Sequence, residues 1–295
     1  MPAQLRVIRR RIRTVQSTMK ITRAMELISA SRLTRAQERV AQARPYTDEI
    51  TAALESIVST EETISHPLLE QRAEAQAAAV LVVTSDRGLA GPYNANVLRT
   101  AEELMARLRD DGMEPKLYVT GRKGLAYYRF RQRPIEQSWT GFSDAPSYED
   151  SSAIVDLLVE QFVAERVDQI HAVFTDFVSA GTQRAVARRF VPLVIEEVEE
   201  GPPEPIPQYL YEPSPEALLD ALLPRYVGAR VFTAMLESAA SEHAARRRAM
   251  KAATDNAQEL IEGLTREYNQ ARQGQITQEI MEIVGGSEAL QKSGS

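Results

Sequence analysis

The chain has 295 residues, 43% of them hydrophobic, a formal charge of -6 and no cysteine. That length supports one substantial core with extensions, and the missing cysteines exclude disulfides, thiol catalysis, thiolate metal sites and dithiol switches. His66, His171 and His243 lie far apart with no neighbouring ligand pattern, and no apolar run approaches the roughly 20 residues of a membrane helix.

From Ala3 to Arg44 there is neither Gly nor Pro. As one helix at 1.5 Å per residue this stretch spans roughly 60 Å, about twice the diameter of a small domain. Leu5, Ile8, Ile12, Val15 and Met19 alternate by three and four residues, the spacing of a coiled-coil seam. After Met19 the apolar pattern moves to Ile21, Met25, Ile28 and Leu33, which predicts a drifting register. Residues 1–44 hold eleven Lys or Arg against Glu26 and Glu38, a net of +9, so the remainder carries about -15. A basic stripe opposite an apolar seam is most often a solvated face. It also fits an acidic partner, nucleic acid or a membrane surface, and it imitates a transit peptide, but the pattern continues past a plausible cleavage point.

The middle changes character. Ala78–Val83 is an apolar run ended by Ser85-Asp86-Arg87-Gly88, which reads as a buried strand. A helix over 94–109, a strand over 116–120 stopped by Gly121, and a helical stretch to about Arg131 follow. Ser147 with Asp150 predicts a capping box, and Ile154 to Val163 supplies that helix's apolar face. Strands are expected over 170–174 and 190–195, the last at an edge because of Pro192. Alternating strands and helices predict a Rossmann-like, mostly parallel sheet. Four prolines between 202 and 207 make a stiff connection, and Ser214-Pro215 opens the next helix.

Ser241 to Val284 contains no proline and predicts a second long helix, with Met250, Ala253, Ala257, Leu260 and Leu264 as its seam. The fold class is therefore α/β with a long antiparallel coiled coil of the terminal helices. The expected domains are a coiled-coil helix over 1–60, the α/β domain over 75–207 and a second coiled-coil helix over 208–295. An ordinary helical hairpin in a bundle is the plainer alternative, and the length of the helices argues against it.

A Rossmann-like sheet invites a nucleotide, yet Asp86-Arg87-Gly88-Leu89-Ala90-Gly91 has neither the three-glycine fingerprint nor a Gly-Lys-Ser/Thr phosphate loop. It reads as a tight turn with Asp86 capping and Arg87 pairing nearby. Thr120-Gly121-Arg122-Lys123-Gly124 reads as a turn with solvated cations. No carboxylate pair or nucleophile with a base stands at a strand end, so no catalytic, cofactor or metal residue is assigned.

Three stretches carry a resemblance over nearly the whole chain: Lys20-Ile21-Thr22-Arg23-Ala24-Met25-Glu26-Leu27 with Ala30-Ser31-Arg32-Leu33; Asp86-Arg87-Gly88-Leu89-Ala90-Gly91-Pro92-Tyr93-Asn94; and Ala249-Met250-Lys251-Ala252-Ala253-Thr254-Asp255-Asn256-Ala257 followed by Asn269-Gln270-Ala271-Arg272-Gln273 and Ile276-Thr277-Gln278-Glu279-Ile280. The sequence resembles the γ subunits of F-type ATP synthases, the central rotor shaft. That resemblance implies no chemistry in this chain, no cofactor, no nucleic acid, and one copy coupling c-ring rotation to the catalytic β subunits.

The resemblance also implies partners. Arg23, Met25 and Glu26 match the segment near the acidic lever of a β subunit. Arg272, Gln273, Thr277 and Glu279 match positions that meet a β loop. Ile276, Ile280, Ile283 and Val284 would sit in the apolar sleeve of the α3β3 hexamer, and Tyr209, Tyr211 and Glu212 would bear on the ε subunit and the c-ring. Lacking the plastid dithiol and a separable targeting segment, the chain is expected at the cytoplasmic face of a bacterial inner membrane, as a peripheral protein. A non-motor coiled-coil adaptor and an α/β enzyme with helical extensions are the alternatives.

Overall fold

The computed structural model describes residues 2–60, 69, 75–192 and 215–293. In chain order its elements are α1 (Pro2–Thr60), β1 (Ala77–Val83), α2 (Tyr93–Asp110), β2 (Glu114–Thr120), α3 (Arg122–Phe130), β3 (Gln137–Trp139), α4 (Tyr148–Val163), β4 (Gln169–Phe177), β5 (Gln183–Val191) and α5 (Pro215–Ser293). They form two compact units. One comprises residues 29–246, and the other holds the described residues up to Ile28 and from Arg247 onward.

In the larger unit the strand order is β3-β2-β1-β4-β5, with only the β4–β5 pair antiparallel. The mostly parallel sheet expected from the alternating pattern is therefore present, and β5 lies at an edge. Its span is Gln183–Val191, earlier in the chain than the sequence suggested, and Pro192 follows it because proline cannot donate to a ladder. The three-residue β3 on the opposite edge was not anticipated; Gln137-Ser138-Trp139 is too short to show a period.

Strand β1 is covered on both faces, which explains its unbroken apolar run. Ala78, Val80 and Val82 pack with Val97, Ala101, Leu104 and Met105 of α2. The alternate residues Ala79, Leu81 and Val83 share a second core with Ile154 and Leu158 of α4, with Leu54 and Ile57 of α1, and with Leu219, Leu223 and Val227 of α5. Helix α4 begins with the predicted capping box, Ser147 accepting from the Asp150 amide and Asp150 accepting from the Ser147 amide.

Helices α1 and α5 run antiparallel in this unit: Arg44 approaches Glu237 and, three residues on, Thr47 Oγ1 meets Thr233 Oγ1 at 3.0 Å. Leu33, Ala36 and Val40 form the seam with Leu236, Ala240 and Ala244. The middle of α5 is buried almost all round, from Tyr226 through Arg246, as expected of a helix enclosed by its own fold.

In the smaller unit the two helices meet at Ile8, Met250, Ala257 and Leu264, all buried. Thr22 Oγ1 lies 2.7 Å from Thr254 Oγ1. Two sequence expectations are corrected here. The seam of α1 does not slip after Met19: Ile21 and Ile28 are 61% and 54% exposed, while Thr22 is buried at the next position of the same three-four alternation, which Ser29 and the expected Leu33 continue in the larger unit. On α5, Leu260 is 51% exposed and the half-buried residue is its neighbour Ile261. In both places a polar or adjacent residue occupies the covered position because the partner helix, not side-chain polarity, fixes which face is covered.

Candidate functional site

The loops after β1, β2 and β3 are held by one carboxylate. Asp86 accepts from the amides of Arg122, Gly141 and Ser143 at 2.8–3.1 Å. Backbone amides at the carboxyl end of such a sheet are the donors a phosphate would use, and here a side-chain carboxylate takes them. Asp86 thus caps α3, not the helix that follows its own strand, which corrects the simple turn expected. Arg87 contributes its carbonyl. Gly121, at φ 88, passes so close to Thr84 that an added Cβ would lie 2.2 Å from the Thr84 carbonyl oxygen, so only glycine fits.

Sequence reasoning missed the polar segment of α5 that grips these loops. Arg246 donates to Glu242 Oε1 at 2.6 Å and to the carbonyl oxygens of Arg87 and Gly88 at 3.2 and 3.3 Å. Ser241 donates to the Thr175 carbonyl, and Ser238 accepts from the Thr175 amide. His243 Nε2 lies 3.0 Å from the Asp144 carbonyl oxygen, to which it donates; burial lowers the ring's pKa, and this bond opposes that. Arg32 of α1 pairs with Asp144, and Arg39 donates to the Pro146 carbonyl. Burial raises the Glu242 carboxyl pKa, and Arg246 opposes that. Burial, and then the neighbouring Asp176, push Glu237 up to about 7, against Arg188 and Arg44. The readable signal was Glu242 and Arg246 four apart within a stretch otherwise buried on every side.

The residues expected to meet the β subunits and the apolar sleeve lie in the smaller unit. Arg23 pairs with Glu26 at 3.3 Å, one turn on, with Arg23 solvated and Glu26 mostly covered; Met25 beside them is half-buried. Arg272, Gln273, Thr277 and Glu279 are all exposed, and Glu279 accepts from Gln275 at 2.8 Å. At about 100° per residue, Arg272 and Glu279 share one flank of α5, while Gln273 and Thr277 share another. These four positions therefore form two polar flanks. Between them runs an uncovered apolar stripe of Ile276, Ile280, Ile283 and Val284, 45–72% exposed. Tyr209, Tyr211 and Glu212 lie outside the described residues.

Among the described residues no group of three or more His, Asp or Glu is placed to hold a metal, and no helix is long and apolar enough to cross a membrane. The arrangement offers a buried polar clamp around one helix and an apolar stripe with two polar flanks at that helix's distal end.

A family model described as ATP synthase matches residues 4–290. The ATP synthase gamma chain of Parafrankia sp. is 57% identical over 98% of this chain and 99% of that protein. The ATP synthase gamma chain of Acidothermus cellulolyticus is 56% identical over the full length of both. Among solved structures, a chain of the Euglena gracilis mitochondrial ATP synthase superposes with a TM-score of 0.65 at 16% identity, over 98% of this chain and 95% of that one. A central stalk and c-ring structure from Tetrahymena thermophila gives 0.58 at 21% identity, over 79% and 99%.

Proposed function

The chain belongs to the ATP synthase gamma-chain family, and on that premise we propose that it is the central shaft that couples rotation of a membrane c-ring to the conformational cycle of catalytic β subunits. It does no chemistry itself. Its contribution is differential contact, since a turning asymmetric shaft shifts a subunit's equilibrium only by binding its states unequally.

The observation that carries this reading is the contrast along α5. Residues 226–246 are largely buried and tied by charge-assisted bonds to the α/β loops, while Ile276, Ile280, Ile283 and Val284 present an apolar stripe that is 45–72% exposed. Apolar contact is non-directional, which suits a tip that turns inside a sleeve of α and β subunits. The flanking Arg272, Gln273, Thr277 and Glu279, with Arg23, Met25 and Glu26 on α1, are proposed to meet β subunits. Tyr209, Tyr211 and Glu212 are proposed to bear on ε and the c-ring. The proposed domains are 1–60, 75–207 and 208–295. One copy per complex, peripheral at the cytoplasmic face of a bacterial inner membrane, completes the proposal.

The test is reconstitution. One copy should co-purify with three α and three β subunits, and a bead fixed to the α/β domain should rotate when ATP is added to the immobilised hexamer. Assembly in that ratio without ATP-driven rotation would favour a static adaptor.

A further inference from the structure

A recess of about 400 Å³ opens between α1, the loop carrying Asp144 and the buried stretch of α5. Its floor is apolar because Ala36 and Ala239 leave room between the two helices, and three guanidinium groups, Arg32, Arg35 and Arg39, line its wall. These positions, three and seven residues apart, fall on one face of α1. Asp144 is the only carboxylate in the lining, and Arg32 already pairs with it. Arg39 gives one bond to the Pro146 carbonyl, and Arg35 donates to Ser31 Oγ at 3.5 Å. Each guanidinium carries five donors, more than these bonds to the described residues use. His243, also in the lining, is committed through Nε2 to the Asp144 carbonyl.

We propose that this recess binds a compact, multiply charged phosphoryl anion of the diphosphate class. Arg32 and Arg39 are separated by two helical turns, roughly 10 Å along the axis, which is wider than one phosphate needs and suits two linked phosphoryl groups. Planar guanidinium forks match phosphoryl oxygens bidentately. With a single carboxylate in the lining, already paired with Arg32, the guanidinium groups themselves would balance the charge of the metal-free anion. Bound there, it would bridge α1 to the loop and to α5. The inference stands on the larger unit alone and is independent of the rotor reading.

The probe is inorganic pyrophosphate, titrated calorimetrically into the full-length chain without magnesium at low salt, with ADP in a second arm. Saturable binding that weakens as salt rises and raises the melting temperature is expected. Arg35→Gln should weaken it at least about tenfold, the scale of one lost charged hydrogen bond. It should leave the melting temperature of the free chain unchanged, because Arg35 is exposed. Arg35→Lys should retain part of the affinity, and Arg99→Gln on α2 all of it. ADP binding no tighter than pyrophosphate assigns the recess to phosphoryl groups from either source. No saturable binding, binding indifferent to Arg35→Gln, or binding of ADP without pyrophosphate would overturn the proposal.

Discussion

Arg246 Nη2 lies 2.6 Å from Glu242 Oε1, one turn away on α5, and the two side chains are only 8% and 1% exposed. An ion pair so covered adds little net stability by itself, yet removing one partner strands the other charge. Arg246 also holds the carbonyls of Arg87 and Gly88, so the pair fixes the loop after β1 against the helix. Arg246→Met alone should destabilise the chain by about 3–5 kcal/mol. The double change Arg246→Met with Glu242→Leu should cost clearly less. Urea unfolding of both variants measures the difference, and equal losses would mean that stranding the carboxylate is not the cause.

Glu237 sets a pH dependence. Its folded pKa is raised to about 7 from an ordinary 4.5, chiefly by burial and then by Asp176, with Arg188 and Arg44 opposing. The folded state therefore binds the extra proton, and stability must fall as pH rises across that interval. The contribution is fully present below about 4.5 and lost as the pH passes about 7. Glu237→Gln should flatten the melting temperature between pH 4.5 and about 7, the interval between these two values. An unchanged slope would place the titration elsewhere.

The seam of the smaller unit gives a paired test. Leu264 is 8% exposed and Leu260 51%. Leu264→Asp buries an unpaired charge and should cost several kcal/mol, with loss of helical signal on mild heating. Leu260→Asp should cost under about 0.5 kcal/mol, as surface changes do. Circular dichroism of the two variants side by side decides whether the seam runs through Leu264 and Ile261 as described.

The isolated chain should show no low-micromolar affinity for Mg-ATP. Asp86 already takes the amides of Arg122, Gly141 and Ser143, and its own negative charge repels phosphate. Calorimetry with Mg-ATP is the measurement, and tight binding would require a nucleotide site that this loop geometry does not contain.

At the distal end of α5, Arg272→Ala, Gln273→Ala and Thr277→Val together remove donors from both flanks and leave Glu279 and the apolar stripe in place. All three positions are exposed, so helix content should be unchanged. Steady-state ATP turnover and proton-driven synthesis, measured on the reconstituted complex at matched occupancy, should both fall, since each charged hydrogen bond contributes roughly 1.5–3 kcal/mol. Values equal to wild type in both assays would make these residues a merely solvated helix face.

The alternating middle of the chain was legible because β1 is buried on both faces and its apolar run reflects that directly. The terminal helices were legible in length but not in facing. Thr22 and Ser29 sit in the covered row while Ile21 and Ile28 stand outside it, and no rule of polarity selects a threonine over the isoleucine beside it. Only the position of the second helix does. The clamp stayed hidden for a related reason: Ser238, Ser241, Glu242 and His243 would mark a solvated face on an ordinary surface helix, and only enclosure by three other segments makes them interior. Leu260 and Ile261 differ by one residue and 100° of helix, which spacing alone resolves poorly when both are apolar.

The threonine contact in the smaller unit contains a shortage of protons. Thr22 Oγ1 approaches the Met19 carbonyl at 3.0 Å, Thr254 Oγ1 approaches the Met250 carbonyl at 2.9 Å, and the two hydroxyls approach each other at 2.7 Å. Two hydroxyl hydrogens cannot serve three contacts at once. At any moment one hydroxyl bonds its own helix and the other bonds across, or neither bonds across. The crossing bond thus has two possible polarities, interchanged by rotating two hydroxyl groups, with no heavy atom displaced. A joint of that kind keeps the two helices bonded at one separation whichever of them supplies the proton.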